Sequence, residues 1–183
     1  PALCNRIDRN TGGIVIAAKT AEGLRVMNQK IRDRELKKYY LCIVHGTLPR
    51  PAGRLEGYIL KDEAKKQVTV SSRPRPGAKT AVTLYETLAV RNGLSLVRCQ
   101  LITGRTHQIR AQFAAAGHPL LGDGKYGSER QNKRYGRSYQ ALYSYRLEFC
   151  FTTDAGALAP LDGQQFQVEQ VDFVTEYFPG FSL

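Results

Sequence analysis

"TAVTLYETLAVRNGLSLVRCQLIT" runs from Thr80 to Thr103. Its two apolar-rich runs are separated by Arg91, Asn92 and Gly93, which predicts paired antiparallel strands joined by a tight turn. In the second run Ser95, Val97, Cys99 and Leu101 alternate with Leu94, Leu96, Arg98 and Gln100, the period of a half-buried strand. The same alternation returns in Tyr143, Tyr145, Leu147, Phe149 and Phe151 against Ser144, Arg146, Glu148 and Cys150. Between the N-terminus and this hairpin, "YYLCIVHG" (Tyr39–Gly46), "LEGYIL" (Leu55–Leu60) and "KQVTVSS" (Lys66–Ser72) read as further strands, with "PRPAGR" as a loop. "GGIVIAAKT" (Gly12–Thr20) reads as a buried strand after a tight turn. Thr20 then predicts an N-cap, with Glu22 in the first turn of a helix. Ala21, Leu24, Met27 and Ile31 would form its apolar stripe, and Arg25, Lys30, Arg32 and Arg34 a solvated face. Strands outnumber helices, and several neighbours are joined by short turns. The expected fold is therefore α+β, a mixed but mainly antiparallel central β-sheet flanked by helices and loops.

The chain has 183 residues, of which 42% are hydrophobic. That is enough to bury a core in one domain and excludes global disorder. No apolar run approaches the roughly 20 residues needed to span a bilayer, and no secretory leader is visible. Lys and Arg number 27 against 16 Asp and Glu, a net charge of +11. Such an excess favours a polyanionic partner, nucleic acid before a membrane surface. "RPRPGAKT" (Arg73–Thr80) is too rich in Pro for a regular strand. It reads as an exposed basic loop suited to phosphate. The four cysteines, Cys4, Cys42, Cys99 and Cys150, are widely spaced, which suits reduced thiols of a cytoplasmic protein rather than a zinc site. The chain opens on Pro1, so it is expected to be a piece of something longer.

Two stretches concentrate chemistry. "CNRIDRNTGG" (Cys4–Gly13) places the single carboxylate Asp8 between Arg6 and Arg9. Nearby cations favour the charged form of a carboxylate, which suits a nucleophile better than a general acid. On its own the stretch also reads as a surface turn. "TGRTHQIRAQFAAAGHPLLGDGKYG" (Thr103–Gly127) is the second. Thr106 is placed to cap a helix whose buried stripe is Ile109, Phe113 and Ala116. Arg105, His107 and Arg110 cluster at its start, where they can meet a phosphate or a carboxylate. The glycine-rich end lacks the P-loop pattern. No G-x-S-x-G is present, and His45, His107 and His118 lack zincin spacing.

Together these stretches resemble the RluA-type RNA pseudouridine synthases. "NRIDRNTGG" is similar to the family's "HRLDxxTSG", "KKYYLCIVHG" to its "K-x-Y-x-A-x-V-x-G", and "LITGRTHQIRAQFAAAGHPLLGDGKYG" to its third motif nearly throughout. The resemblance spans about residues 4 to 150. It implies isomerisation of uridine to pseudouridine in RNA without a cofactor or metal, on large-subunit ribosomal RNA first and transfer RNA as the alternative. A non-catalytic RNA-binding module is the competing class. A hydrolase would want a second carboxylate near Asp8.

The resemblance assigns the essential aspartate to Asp8, the active-site tyrosine to Tyr40, and the aspartate's basic partner to Arg110. It gives Arg6 to base flipping and Ile109 to an apolar position near the site. Arg105 and His107 are further expected RNA contacts, and loops around Arg73, Arg75 and Arg134 are expected to grip the backbone. Asp8 would attack C1′ of the sugar or C6 of the base, or assist elimination through a glycal. Taken alone, Tyr40 reads as a strand aromatic of the core. Asn5 and Gly12 depart from the family's usual His and Ser. The implied organisation is a catalytic domain over residues 1–183, lacking its N-terminal portion and any accessory RNA-binding domain. A cytoplasmic monomer is the default expectation.

Overall fold

A computed structural model describes residues 1–183. Ten strands appear in chain order: β1 (Ala2–Leu3), β2 (Gly12–Gly13), β3 (Ala17–Ala18), β4 (Leu36–His45), β5 (Ala52–Asp62), β6 (Gln67–Ser71), β7 (Lys79–Arg91), β8 (Leu94–Leu101), β9 (Leu142–Phe149) and β10 (Gln165–Gln167). The helices are α1 (Ala21–Arg32), α2 (Gln108–Ala115), α3 (Glu129–Tyr135) and α4 (Asp172–Tyr177). The main sheet runs β10-β9-β4-β8-β7-β5-β6, with every neighbour antiparallel. Its one parallel pairing is β2 beside β9. The α+β architecture and the mainly antiparallel sheet are as the sequence predicts.

The expected hairpin is β7–β8. Arg91 pairs with Leu94 across Asn92 and Gly93, at φ 51° and 74°. Two positive φ values in a two-residue turn match the right-handed twist of the flanking strands. The expectation of a half-buried β8 is corrected, because this strand lies mid-sheet and is covered on both faces. Leu94 and Leu96 join Leu41, Ile43 and Phe173 on the side of α4. Val97 and Cys99 join Tyr40, Cys42, Val44 and Phe113 on the side of α2. Alternate residues of β4 thus feed two separate cores.

Three other expectations are also corrected. Gly12–Thr20 is not one buried strand. Only Gly12–Gly13 joins the main sheet, while Ala17–Ala18 pairs with β1 in a separate ribbon, and Val15 is exposed. Thr20 does cap α1, its hydroxyl accepting the Gly23 N–H at 3.0 Å. The buried face of α1, however, runs through Gly23, Val26, Met27 and Lys30. Lys30 is not solvated: it is 1% exposed and pairs with Glu35 at 2.7 Å. Arg134 lies on α3, not in a loop. The stretch Arg73–Gly77 is an exposed loop, as expected. Cys42 and Cys99 are buried free thiols. No helix is long and apolar enough to cross a membrane.

Candidate active site

Asp8 lies on the loop between β1 and β2. Its carbonyl accepts the Thr11 N–H at 3.0 Å, closing a turn in which Asn10 takes φ 65°. The Gln140 amide donates to the Arg9 carbonyl and to the Thr11 hydroxyl, at 2.6 and 3.2 Å. Asn5 Oδ1 accepts the Ile16 N–H at 2.7 Å, so this departure from the family pattern still fastens the loop. Gly13 takes φ 116°, and a Cβ there would overlap the Ser144 carbonyl. A glycine is therefore required for the chain to lie against β9. At Gly12, a Cβ would stand 2.7 Å from the Tyr143 ring. The family's usual serine would not fit here unless Tyr143 moved.

Arg110 approaches from α2. This helix starts without a side-chain cap, corrected from the expected Thr106: the capping position is His107, in the left-handed region at φ 51°. Ala116 lies just beyond α2 and is exposed, so it drops out of the expected stripe, while Ile109 and Phe113 are buried as predicted. Two buried glutamines one turn apart hold the helix to the sheet. Gln108 donates to the Val82 carbonyl at 3.0 Å and accepts from the Thr103 hydroxyl at 2.7 Å. Gln112 accepts from the Thr83 hydroxyl at 2.7 Å and donates to the Ala81 carbonyl at 3.1 Å. Buried polar groups fully paired in this way fix one docking position for the helix.

The Arg110 guanidinium grips Asp123 with two parallel hydrogen bonds, Nε to Oδ2 at 2.7 Å and a second to Oδ1 at 3.0 Å. Its remaining nitrogen faces Asp8 Oδ2 at 3.6 Å. Asp123 is fully buried. Burial alone would raise its carboxyl, but Arg110 and the Tyr126 and Lys125 N–H groups outweigh that and hold it below the usual range. The Arg110 guanidinium also lies 5.2 Å over the Tyr126 ring, and the Tyr126 hydroxyl bonds His107 Nδ1 at 2.7 Å. Burial pushes the His107 imidazole down, against the pull of Asp8.

Tyr40 enters from β4. The β4–β9 register shifts between Tyr39 and Tyr40, and such a bulge re-aims the side chains beside it. Tyr40 then points with Cys42 and Val44 toward α2. Burial pushes its phenol up, the Ser144 hydroxyl works against this, and Asp8 adds to it. Tyr40 and Asp8 line a cleft of about 100 Å³ with Arg6, Arg105, His107 and Ile109. Asp8, Tyr40, Arg6, Arg105, His107 and Ile109 are thereby brought to one place, with Arg110 in contact with Asp8 from behind the wall, whereas Arg73, Arg75 and Arg134 do not line the cleft. A larger apolar groove beside β1–β3 lies away from these groups. No cluster of three or more His, Cys, Asp or Glu side chains is placed to hold a metal ion.

Sequence reasoning missed Asp123, Tyr126, Gln140 and Lys38. Asp123 had a signal, an acid inside a glycine-rich loop downstream of Arg110. Lys38 lines the cleft, and burial holds its ammonium below the ordinary value.

This arrangement of an acidic loop, a strand tyrosine and a clamped arginine coincides with a family match. Residues 1–115 fit the model described as RNA pseudouridylate synthase, and the chain belongs to that family. Its relatives include an uncharacterised RNA pseudouridine synthase of Mycoplasma pneumoniae, 34% identical over all of this chain and 55% of that protein. Ribosomal large subunit pseudouridine synthase D of Zymomonas mobilis is 31% identical over 96% of this chain and 52% of its own length. The corresponding synthase C of Escherichia coli is 32% identical over 82% and 48%. The chain thus spans about half the length of these curated relatives. Two solved human structures share the fold. RNA pseudouridylate synthase domain containing 4 has a TM-score of 0.74 at 24% identity, over 94% of this chain and 72% of that one. Domain containing 1 gives 0.72 at 19%, over 96% and 78%.

Proposed function

We propose that the protein isomerises uridine to pseudouridine in large-subunit ribosomal RNA, with Asp8 as nucleophile, and that residues 1–183 supply the catalytic site of a longer, cytoplasmic, monomeric enzyme. The observation that carries this reading is the Asp8–Arg110–Asp123 chain beside Tyr40. A buried carboxylate clamps the arginine in one orientation, and the arginine presents its free nitrogen to Asp8. Electrostatic groups fixed before substrate arrives need no reorganisation during the reaction.

In the reaction the N1–C1′ bond breaks, a C5–C1′ bond forms, and the C5 proton ends on N1. Nothing is gained or lost overall. Asp8 would add to C1′ or C6, or assist elimination through a glycal, and leave again when the new bond is made. Tyr40 would stack on the base, with its hydroxyl available for the C5 proton. The base must leave the RNA stack to enter so small a cleft, and exposed Arg6 at its wall would fill the vacated space.

The test is full-length protein on unmodified ribosomal RNA and transfer RNA transcripts, with pseudouridine mapped at nucleotide resolution. The ribosomal transcript or its precursor should be modified. Asp8→Asn should abolish modification and leave RNA affinity within a few-fold. Turnover retained in Asp8→Asn would remove Asp8 from the nucleophile's role. Modification of neither RNA would overturn the reading.

A further inference from the structure

The Asp8 cleft does not stand alone. Two further cavities, of about 280 and 210 Å³, open beside it, and all three have Gly104 and Arg105 in their walls. The larger is lined by Arg32, Arg34 and Lys38, the other by Lys61 and Lys79. Gly77, at the foot of the exposed Arg73–Gly77 loop, also reaches the second. Neither flanking cavity contains a carboxylate, so Asp8 is the single acid in the whole trough.

Some exposed cations of this molecule have acidic partners, as in Arg54–Glu56 and Lys133–Glu129. In the trough Lys61 pairs with Glu63, but Arg32, Arg34, Lys38 and Lys79 have no carboxylate within ion-pair distance. Lys38 is half-buried and lines both the Asp8 cleft and the larger flank. A cation partly removed from water without a counter-charge is costly unless an anion completes it. Gly104 lies in the wall shared by all three cavities, and a Cβ there would stand in ordinary contact with Lys38 Nζ at 3.7 Å, so a bulky side chain would compete with Lys38 for the junction.

We propose that these two cavities are phosphate subsites, so that the RNA backbone crosses Gly104 with the target uridine in the Asp8 cleft, one neighbouring phosphate on Arg32, Arg34 and Lys38, and another on Lys79. This rests on the synthase reading and adds to it the path of the strand. Cations without base-reading groups position the backbone and carry no sequence information. The trough therefore sets where the uridine sits, and specificity must be supplied elsewhere.

The experiment uses full-length protein and the transcript that wild type modifies. Affinity is measured by fluorescence anisotropy across a salt series for Arg32→Gln/Arg34→Gln, Lys38→Gln, Lys79→Gln and Gly104→Leu, with Arg54→Gln as control. Each lost single-strand phosphate contact should lower the slope of log affinity against log salt by about 0.7. The Arg32/Arg34 variant and Lys79→Gln should each bind about tenfold or more weakly at low salt, and Gly104→Leu should lose modification. The exposed Arg32, Arg34 and Lys79 should leave the urea midpoint unchanged, so weaker binding is not unfolding. If wild type modifies RNA but the flank variants keep its affinity and slope, the trough is refuted and the synthase reading stands. If the flank variants lose slope while Asp8→Asn still turns over, the trough stands and the assigned chemistry falls. If wild type neither binds nor modifies RNA, both fall.

Discussion

Arg110 has three nitrogens and two acidic neighbours, and the division between them is unequal. Asp123 takes two hydrogen bonds at 2.7 and 3.0 Å, and Asp8 takes a longer contact at 3.6 Å. The short bonds fix the arginine, and under the proposed chemistry the longer one leaves Asp8 free to move toward a substrate. On the proposed reading Asp123 is thus a positioning residue. Asp123→Asn should leave a buried guanidinium without its bidentate partner and destabilise the fold by about 3 kcal/mol, measurable by urea unfolding. Among molecules still folded, kcat should drop while KM for RNA stays near the wild-type value, because the proposed phosphate contacts lie elsewhere. Unchanged kcat would show that Arg110 needs no clamp. The family resemblance singled out Asp8, Tyr40 and Arg110, and these side chains converge in the structure. Asp123 was less legible, because nothing local in "GDGKYG" says that its acid points back to a helix 13 residues upstream.

Among the elements, α1 shows how local pattern and final packing part company. Its cap was readable, but its buried face turns toward Lys30, whose ammonium leaves solvent for Glu35 and the Thr153 carbonyl and hydroxyl. Glu35 follows the helix directly, but Thr153 comes from the segment after β9, more than a hundred residues away, and no helical periodicity encodes either partner. Lys30 first, then the hydroxyl and N–H of Thr152, pull the Glu35 carboxyl from 4.5 to about 2. A carboxylate depressed in the folded state stabilises fully above its unfolded value and loses that contribution as pH falls through the folded one. Unfolding free energy should therefore decline between about pH 4.5 and pH 2. The double variant Lys30→Met/Glu35→Leu should show a shallower decline in denaturant titrations. The hairpin β7–β8 was readable because its register depends on one turn. The buried strand expected at Gly12–Thr20 failed because apolar residues there flank a groove instead of entering the sheet.

At the scale of the molecule, the sheet separates two cores with different duties. Phe113 is buried on the α2 side, and Phe173 on the α4 side. Truncating either to Ala should cost about 3–5 kcal/mol in chemical unfolding. Only Phe113→Ala should also lower modification per folded molecule, because Phe113 lies on the helix that carries Arg110. Equal losses from both would mean that the site is tied to global packing rather than to one face. Net charge pointed to a polyanionic partner in the sequence, but not that Arg32, Arg34, Lys38 and Lys79 line cavities flanking the Asp8 cleft.

The parallel contact of Gly12–Gly13 with Tyr143–Ser144 spans two residues on each strand. On its opposite edge, β9 holds β4, and so Tyr40, through seven paired positions. The acid and the tyrosine are therefore fastened to one ribbon with unequal strength. Amide deuteration should expose the difference. The Ile14 N–H, bonded to the Ser144 carbonyl at 2.8 Å, should exchange through a local opening with a free energy well below that of Leu41 or Val97 in the central strands. Asp8 would then leave its position far more often than the protein loses its shape, and under the proposed chemistry the time spent armed, not the lifetime of the fold, would bound output.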